Sequence, residues 1–168
     1  STDGLVDGEV VAGQVARELA MCAGILDVDG RNFHAWAYRM QVRRLAGARG
    51  VEEAEEDAAY ALSKINADFA NYSAWHLRSQ ALRRLGGGAV AEERELVWQA
   101  LFTEPEVESG WLYARWLLDG GAGAGGVVTA GGELARVEEL LGVEPGARLA
   151  AAARARLLAE GGRGAEAA

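Results

Sequence analysis

Three times in this chain a tryptophan sits inside nearly the same phrase, and no other feature restricts the fold as strongly. The phrases are Asn32-Phe33-His34-Ala35-Trp36-x-x-Arg39, Asn71-Tyr72-Ser73-Ala74-Trp75-x-x-Arg78 and Glu108-Ser109-Gly110-Trp111-x-x-x-Arg115-Trp116. Their tryptophans stand 39 and then 36 residues apart. A fixed period in this range marks an architecture made by stacking one supersecondary unit. A second set of positions keeps the same step: Asp29, Asp68, Pro105 and Pro145 are separated by 39, 37 and 40 residues.

The unit reads as a helical hairpin. Proline occurs only at Pro105 and Pro145, while alanine, leucine, glutamate and arginine abound, a composition that favours helices over strands. The first half of each unit is an amphipathic run with apolar residues three and four apart. These runs are Glu18-Leu19-x-x-Cys22-x-x-Ile25-Leu26, Ala58-x-Tyr60-Ala61-Leu62-x-x-Ile65, Leu96-Val97-Trp98-x-x-Leu101-Phe102 and Leu134-x-x-Val137-x-x-Leu140-Leu141. A short polar turn follows, and Asn32 or Asn71 then caps a second helix. From these caps Phe33, Trp36 and Met40 share one face, as do Tyr72 and Trp75. One hairpin cannot bury such a stripe alone, so neighbours must stack. The expectation is an all-α domain over 1–168, with repeats near 14–46, 52–86 and 91–119 and a degenerate one near 132–160. Residues 46–50, 86–88 and 120–126 read as loops, the last as a glycine-rich linker, and 1–8 and 161–168 as frayed ends.

A net charge of -8 supplies no basic stripe for nucleic acid. The lone Cys22 excludes a disulfide framework and a cysteine-rich zinc site, and suits a reduced compartment. No apolar run reaches the ~20 residues of a membrane span. The chain therefore reads as soluble and cytoplasmic. No catalytic constellation stands out, and His34 and His76 occupy different offsets in their repeats. The cluster Glu52, Glu53, Glu55, Glu56 and Asp57 reads as a solvated helix start. Arg43-Arg44 and Arg83-Arg84 read as helix ends, with a recurring basic edge as the alternative. Arg39 and Arg78 lie a turn beyond their tryptophans, where they can stack on indole or reach a neighbouring repeat's carboxylate. His34, at the mouth of a hairpin turn, reads either as a surface histidine or as a diphosphate contact.

Asn-aromatic-x-x-Trp-x-x-Arg at this period resembles the signature of the protein prenyltransferase α-subunits. Residues 32–39, 69–79 and 102–118 resemble the Rab geranylgeranyltransferase type, as does the third arginine, displaced to four residues after its tryptophan. The resemblance implies a right-handed crescent of stacked antiparallel helical hairpins wrapped around a separate β-subunit. That β-subunit would carry the catalytic zinc and most of the pocket for geranylgeranyl diphosphate. The enzyme would transfer the lipid to C-terminal cysteines of Rab GTPases presented by an escort protein. The chain itself would hold no catalytic residue and no cofactor, and would be inactive alone. By resemblance Arg31, Phe33 and His34 line the pocket rim, Arg31 and Ala70 standing at the offset of a family lysine found in an earlier repeat. Asn32, Trp36, Arg39, Asn71, Tyr72, Trp75, Arg78, Trp111 and Arg115 would serve the repeat architecture and the β-subunit face. The immunoglobulin-like and leucine-rich domains of some Rab-type subunits are lacking, so a fragment or reduced subunit with exposed apolar end faces is expected. Two alternatives stay open. One is the α-subunit shared by farnesyltransferase and geranylgeranyltransferase type I, which Phe33 in place of a tyrosine disfavours. The other is a helical-repeat adaptor of the tetratricopeptide kind, whose period is nearer ~34 residues.

Overall fold

The computed structural model describes residues 3–47, 50–86, 90–121 and 130–166. Among them lie the helices α1 (Asp3–Val28), α2 (Phe33–Leu45), α3 (Val51–Ala67), α4 (Tyr72–Leu85), α5 (Val90–Thr103), α6 (Glu108–Leu118), α7 (Ala130–Val143) and α8 (Arg148–Glu166), and no strand. They pair as four hairpins, α1 with α2, α3 with α4, α5 with α6 and α7 with α8, and α4 packs on α6 to stack one unit on the next. The all-α repeat fold expected from the period is present. The expectation of frayed ends at 1–8 and 161–168 is corrected: α1 is helical from Asp3, and α8 runs on through Gly161 and Gly162. Of the linker at 120–126, Gly120 and Gly121 finish α6, and the remainder lies outside the described residues.

Local chemistry fixes the helix ends. The Asn32 side chain accepts from the Ala35 amide at 3.0 Å, and Asn71 accepts from Ala74 at 3.2 Å. Each satisfies one amide that the first turn leaves unpaired. Hairpin four has Ala147 where a cap is needed, and borrows one from the preceding hairpin. Glu106 accepts from the Arg148 and Leu149 amides at 2.6 and 3.4 Å, and its other oxygen receives the Arg148 guanidinium at 3.0 Å. Glu106→Ala should therefore speed amide exchange at Arg148 and Leu149 several-fold and leave α6 unchanged, a difference that hydrogen exchange read by NMR resolves. At its other end α6 closes through Gly121 N–H to Trp116 C=O (2.9 Å) and Gly120 N–H to Leu117 C=O (3.1 Å). Gly120 takes the left-handed φ of 76° this closure requires.

A continuous core runs through all four hairpins, with Trp36, Trp75 and Trp98 its largest fully buried side chains. The motif tryptophans also pin the turns. Each donates its indole N–H to the carbonyl six residues earlier: Trp36 to Gly30 (2.9 Å), Trp75 to Phe69 (2.8 Å) and Trp111 to Pro105 (2.8 Å). Two of those carbonyls take a second donor from the next hairpin, Asn71 Nδ2 on Gly30 (2.7 Å) and Ser109 Oγ on Phe69 (2.9 Å). A carbonyl oxygen has two lone pairs, and here both are used, one within a repeat and one between repeats.

The motif arginines perform the second linkage. Arg39 Nη2 meets Asp57 on α3 at 3.2 Å, and its guanidinium lies 3.9 Å from the Tyr60 ring centroid. Arg78 grips Glu93 on α5 through both Nε and Nη2 and also donates to the Ala58 carbonyl at 2.7 Å. Of the two anticipated partners, the neighbouring repeat's carboxylate is the one used. Arg115 departs from this pattern and pairs with Asp119 and Glu160. One extra residue after the tryptophan turns the side chain ~100° around a helix of 3.6 residues per turn. The corresponding carboxylate on α7, Glu133, is instead taken by Arg94 and by the Trp98 indole N–H at 3.0 Å. Asp57, Glu93 and Glu133 are thus one repeated position, buried at 2, 1 and 5% exposure. This corrects the reading of Asp57 as part of a solvated face: Glu52, Glu55 and Glu56 are exposed, but Asp57 turns inward to Arg39, Arg43 and Arg84.

Candidate functional site

Since every hairpin turn that bears an indole bond lies at the same end of its unit, stacking lines the turns up as one edge. Contacts between successive turns hold that edge together. Arg31 donates to both Asp68 oxygens, at 2.8 and 3.1 Å. The hydrogen bond from Arg31, opposed by partial desolvation and helped by the Ala70 amide, keeps the Asp68 carboxyl below its ordinary range. A carboxylate whose pKa is lowered on folding stabilises the fold above its unfolded value, and that stabilisation fades as pH falls through the folded value. Arg31→Ala should remove this part of the acid dependence, so that its unfolding midpoint differs from wild type at neutral pH and converges with it once acid has protonated Asp68 in the folded chain as well.

The edge presents apolar side chains to solvent. Phe33 is 70% exposed and Tyr72 is 59% exposed, each the first residue of its helix, and Leu112 on α6 is 51% exposed. His34 meets Phe33 edge-on with ring centroids 5.8 Å apart. His76 stacks on Tyr72 at 6.1 Å, nearly parallel, and contacts Gln80 Nε2 at 2.8 Å. The expected shared face of Phe33 with Trp36, and of Tyr72 with Trp75, is corrected here. Phe33 and Tyr72 stand at the first helical position, where the chain has just left the turn, and Tyr72 faces α6 only across an open groove. Trp36 and Trp75, a turn further in, reach Tyr60 and Tyr113, at 5.8 and 4.8 Å between ring centroids.

Below Tyr72 and Leu112 an open groove of about 160 Å³ separates α4 from α6, lined by Trp75, Ser109, Tyr113, Trp116 and Arg83. Its aromatic wall is continuous, with Tyr113 5.2 Å from Trp116 and Arg83 5.4 Å from the Trp116 ring. Burial first, then the Glu93 charge beside it, drives the Tyr113 phenol far above its ordinary value. It therefore remains a neutral donor to Glu93, at 2.8 Å. The edge and groove suit contact with an apolar or aromatic surface. They assemble no nucleophile with a base, and among the described residues no group of three or more His, Cys, Asp or Glu side chains converges as metal ligands would.

Of the rim residues anticipated from sequence, Phe33 and His34 touch each other and face solvent, whereas the Arg31 guanidinium is engaged by Asp68. Asn32, Trp36, Arg39, Asn71, Trp75, Arg78 and Trp111 act within the stack, and Tyr72 projects from it. Sequence reasoning missed Glu93, Glu133 and Tyr113. The signal for the carboxylates was available, because Asp57, Glu93 and Glu133 are spaced by 36 and 40 residues.

These features define a stacked helical-hairpin repeat protein whose turns are pinned by indole and whose units are joined by buried arginine–carboxylate pairs. The model of the protein prenyltransferase alpha subunit repeat matches residues 15–45, 54–85 and 90–120, which are hairpins one to three. The chain belongs to the protein prenyltransferase alpha subunit repeat family. It is similar to the geranylgeranyl transferase type-2 subunit alpha of Sus scrofa, with 44% identity over 114 residues, and of Bos taurus, with 42% over 114 residues. The Homo sapiens subunit is 44% identical over 110 residues. These matches cover 61% of this chain, which spans about a fifth of the length of the curated relatives it matches. No described helix is long and apolar enough to cross a membrane.

Proposed function

We propose that this chain is the α-subunit portion of a protein geranylgeranyltransferase, and that it scaffolds a catalytic β-subunit through the aligned turn edge. The β-subunit transfers geranylgeranyl from its diphosphate to C-terminal cysteines of Rab GTPases, delivered by an escort protein. One observation carries the reading: 44% identity to type-2 alpha subunits coincides with an edge on which Phe33, Tyr72 and Leu112 remain uncovered. Apolar side chains gathered along one edge and rimmed by polar groups mark an interaction surface. Displacement of diphosphate by a cysteine thiolate, with zinc to lower the thiol pKa, belongs to the partner. This chain contributes shape, and places Phe33 and His34 at the rim.

The reading is tested by mixing the chain with a type-2 geranylgeranyltransferase β-subunit and following elution by size-exclusion chromatography with light scattering. Co-elution as a heterodimer is expected, with no lipid transfer by the chain alone. Phe33→Asp together with Tyr72→Asp should weaken association about tenfold or more, since a carboxylate cannot enter an apolar contact unpaired. Retention of a peptide ligand but of no β-subunit would favour the adaptor reading.

A further inference from the structure

The carboxylate position that locks a hairpin to the one before it occurs a fourth time, on α1. Glu18, Asp57, Glu93 and Glu133 stand 39, 36 and 40 residues apart. Asp57 receives Arg39 and Glu93 receives Arg78, each the seventh residue of the preceding hairpin's second helix. Glu18 repeats the rest of that environment. It is half-buried, and the Tyr38 hydroxyl donates to it at 3.2 Å, as Tyr113 donates to Glu93 at 2.8 Å. Its other bond is from the Gln14 amide at 3.4 Å, and among the described residues no arginine or lysine meets it. Met21 and Ile25 share this face and are exposed. They stand at the register of Tyr60 and Lys64, which touch the preceding hairpin at Trp36 and Asp27. The far end of the stack carries the matching half. Arg154 is the seventh residue of α8, the register of Arg39 and Arg78, and it is exposed, with Glu138 of its own hairpin 3.4 Å away. Leu158, one turn further along α8, is exposed as well. The end units of a helical stack ordinarily present a polar outer face that stops it. Here each end shows apolar side chains around one charged group, and the two charges are opposite.

We propose that copies of this chain stack head to tail, with Arg154 of one copy entering the socket at Glu18 of the next, as Arg39 meets Asp57 within the chain. Met21 and Ile25 then lie against the α8 face that carries Leu158. Arg154 gives up little to reach Glu18, because an exposed pair such as Arg154 with Glu138 is weak. The contact is heterologous, so every added copy offers a fresh end, and growth stays open unless the rotation closes a ring. A net charge of -8 opposes self-association, so the stacks form at raised protein concentration rather than in dilute solution. Only the two end faces are used. The inference therefore does not depend on what covers the turn edge.

Sedimentation velocity of the 168-residue chain over a wide concentration range tests it. The expected result is a weight-average mass that climbs above that of the monomer as concentration rises. Glu18→Arg and Arg154→Glu should each weaken association about tenfold or more. Both substitutions together in one chain reverse the pair and keep the net charge, and they should restore association. Mixing the two single variants should restore it too, because each then meets its opposite charge on the other. The proposal is overturned if the chain stays monomeric throughout, or if it forms a dimer that neither substitution weakens. It is equally overturned if the double variant associates no better than the single ones.

Discussion

Glu93→Ala is expected to cost about 3–5 kcal/mol of folding stability. Glu93 is 1% exposed and receives two bonds from Arg78 and one from Tyr113. Removing it strands the Arg78 guanidinium between α4 and α5, where among the described residues the Ala58 carbonyl alone still accepts from it. Desolvation of an unpaired charge, more than the pair's own attraction, sets that magnitude. The double variant Arg78→Leu with Glu93→Leu should accordingly recover most of the loss, because no charge is left buried. Urea unfolding followed by tryptophan fluorescence measures both. A loss below about 1 kcal/mol in Glu93→Ala would place the pair among exposed ones and contradict its role as a lock between repeats.

Trp75→Ala should cost a comparable amount, about 3–5 kcal/mol, because a large aromatic is deleted from a packed core. Trp75 is 2% exposed and packs against Tyr113 on the next hairpin. Its indole N–H also pins the Phe69 carbonyl, which keeps a second donor in Ser109. Trp75→Phe separates the two contributions. It retains most of the buried area and loses one hydrogen bond, for which about 1 kcal/mol is expected. Packing is thus the larger part, and the hydrogen bond sets the shape of the turn. If Trp75→Phe costs as much as Trp75→Ala, that division is wrong.

The architecture was legible because a repeat states the same physical problem several times. A tryptophan recurring with its asparagine cap and arginine could only be periodic structure, and the polar turns confirmed the step. The buried carboxylates were less legible. Asp57 sits among four glutamates, of which Glu52, Glu55 and Glu56 face water, so local composition pointed to a solvated helix start. Only its register with Glu93 and Glu133 distinguishes it. The fate of Phe33 and Tyr72 was also hidden, since helical periodicity assigns a face but not whether a neighbour stands opposite the first turn. In the fourth hairpin the signature fails for a physical reason: Ala147 cannot cap, and Glu106 from the preceding unit supplies the acceptor. A cap provided across 42 residues leaves no local trace in the sequence.

The aligned turn edge as the surface that receives a second polypeptide is the claim on which the functional account rests. Hydrogen–deuterium exchange of the chain, free and bound to a type-2 geranylgeranyltransferase β-subunit, tests it most directly. The account predicts slowed exchange at the turns and first helical residues around Asp29–Trp36, Asp68–His76 and Glu104–Leu112, together in one footprint. Slowed exchange confined to α3, α5 and α7, with those turns unchanged in the complex, would contradict it.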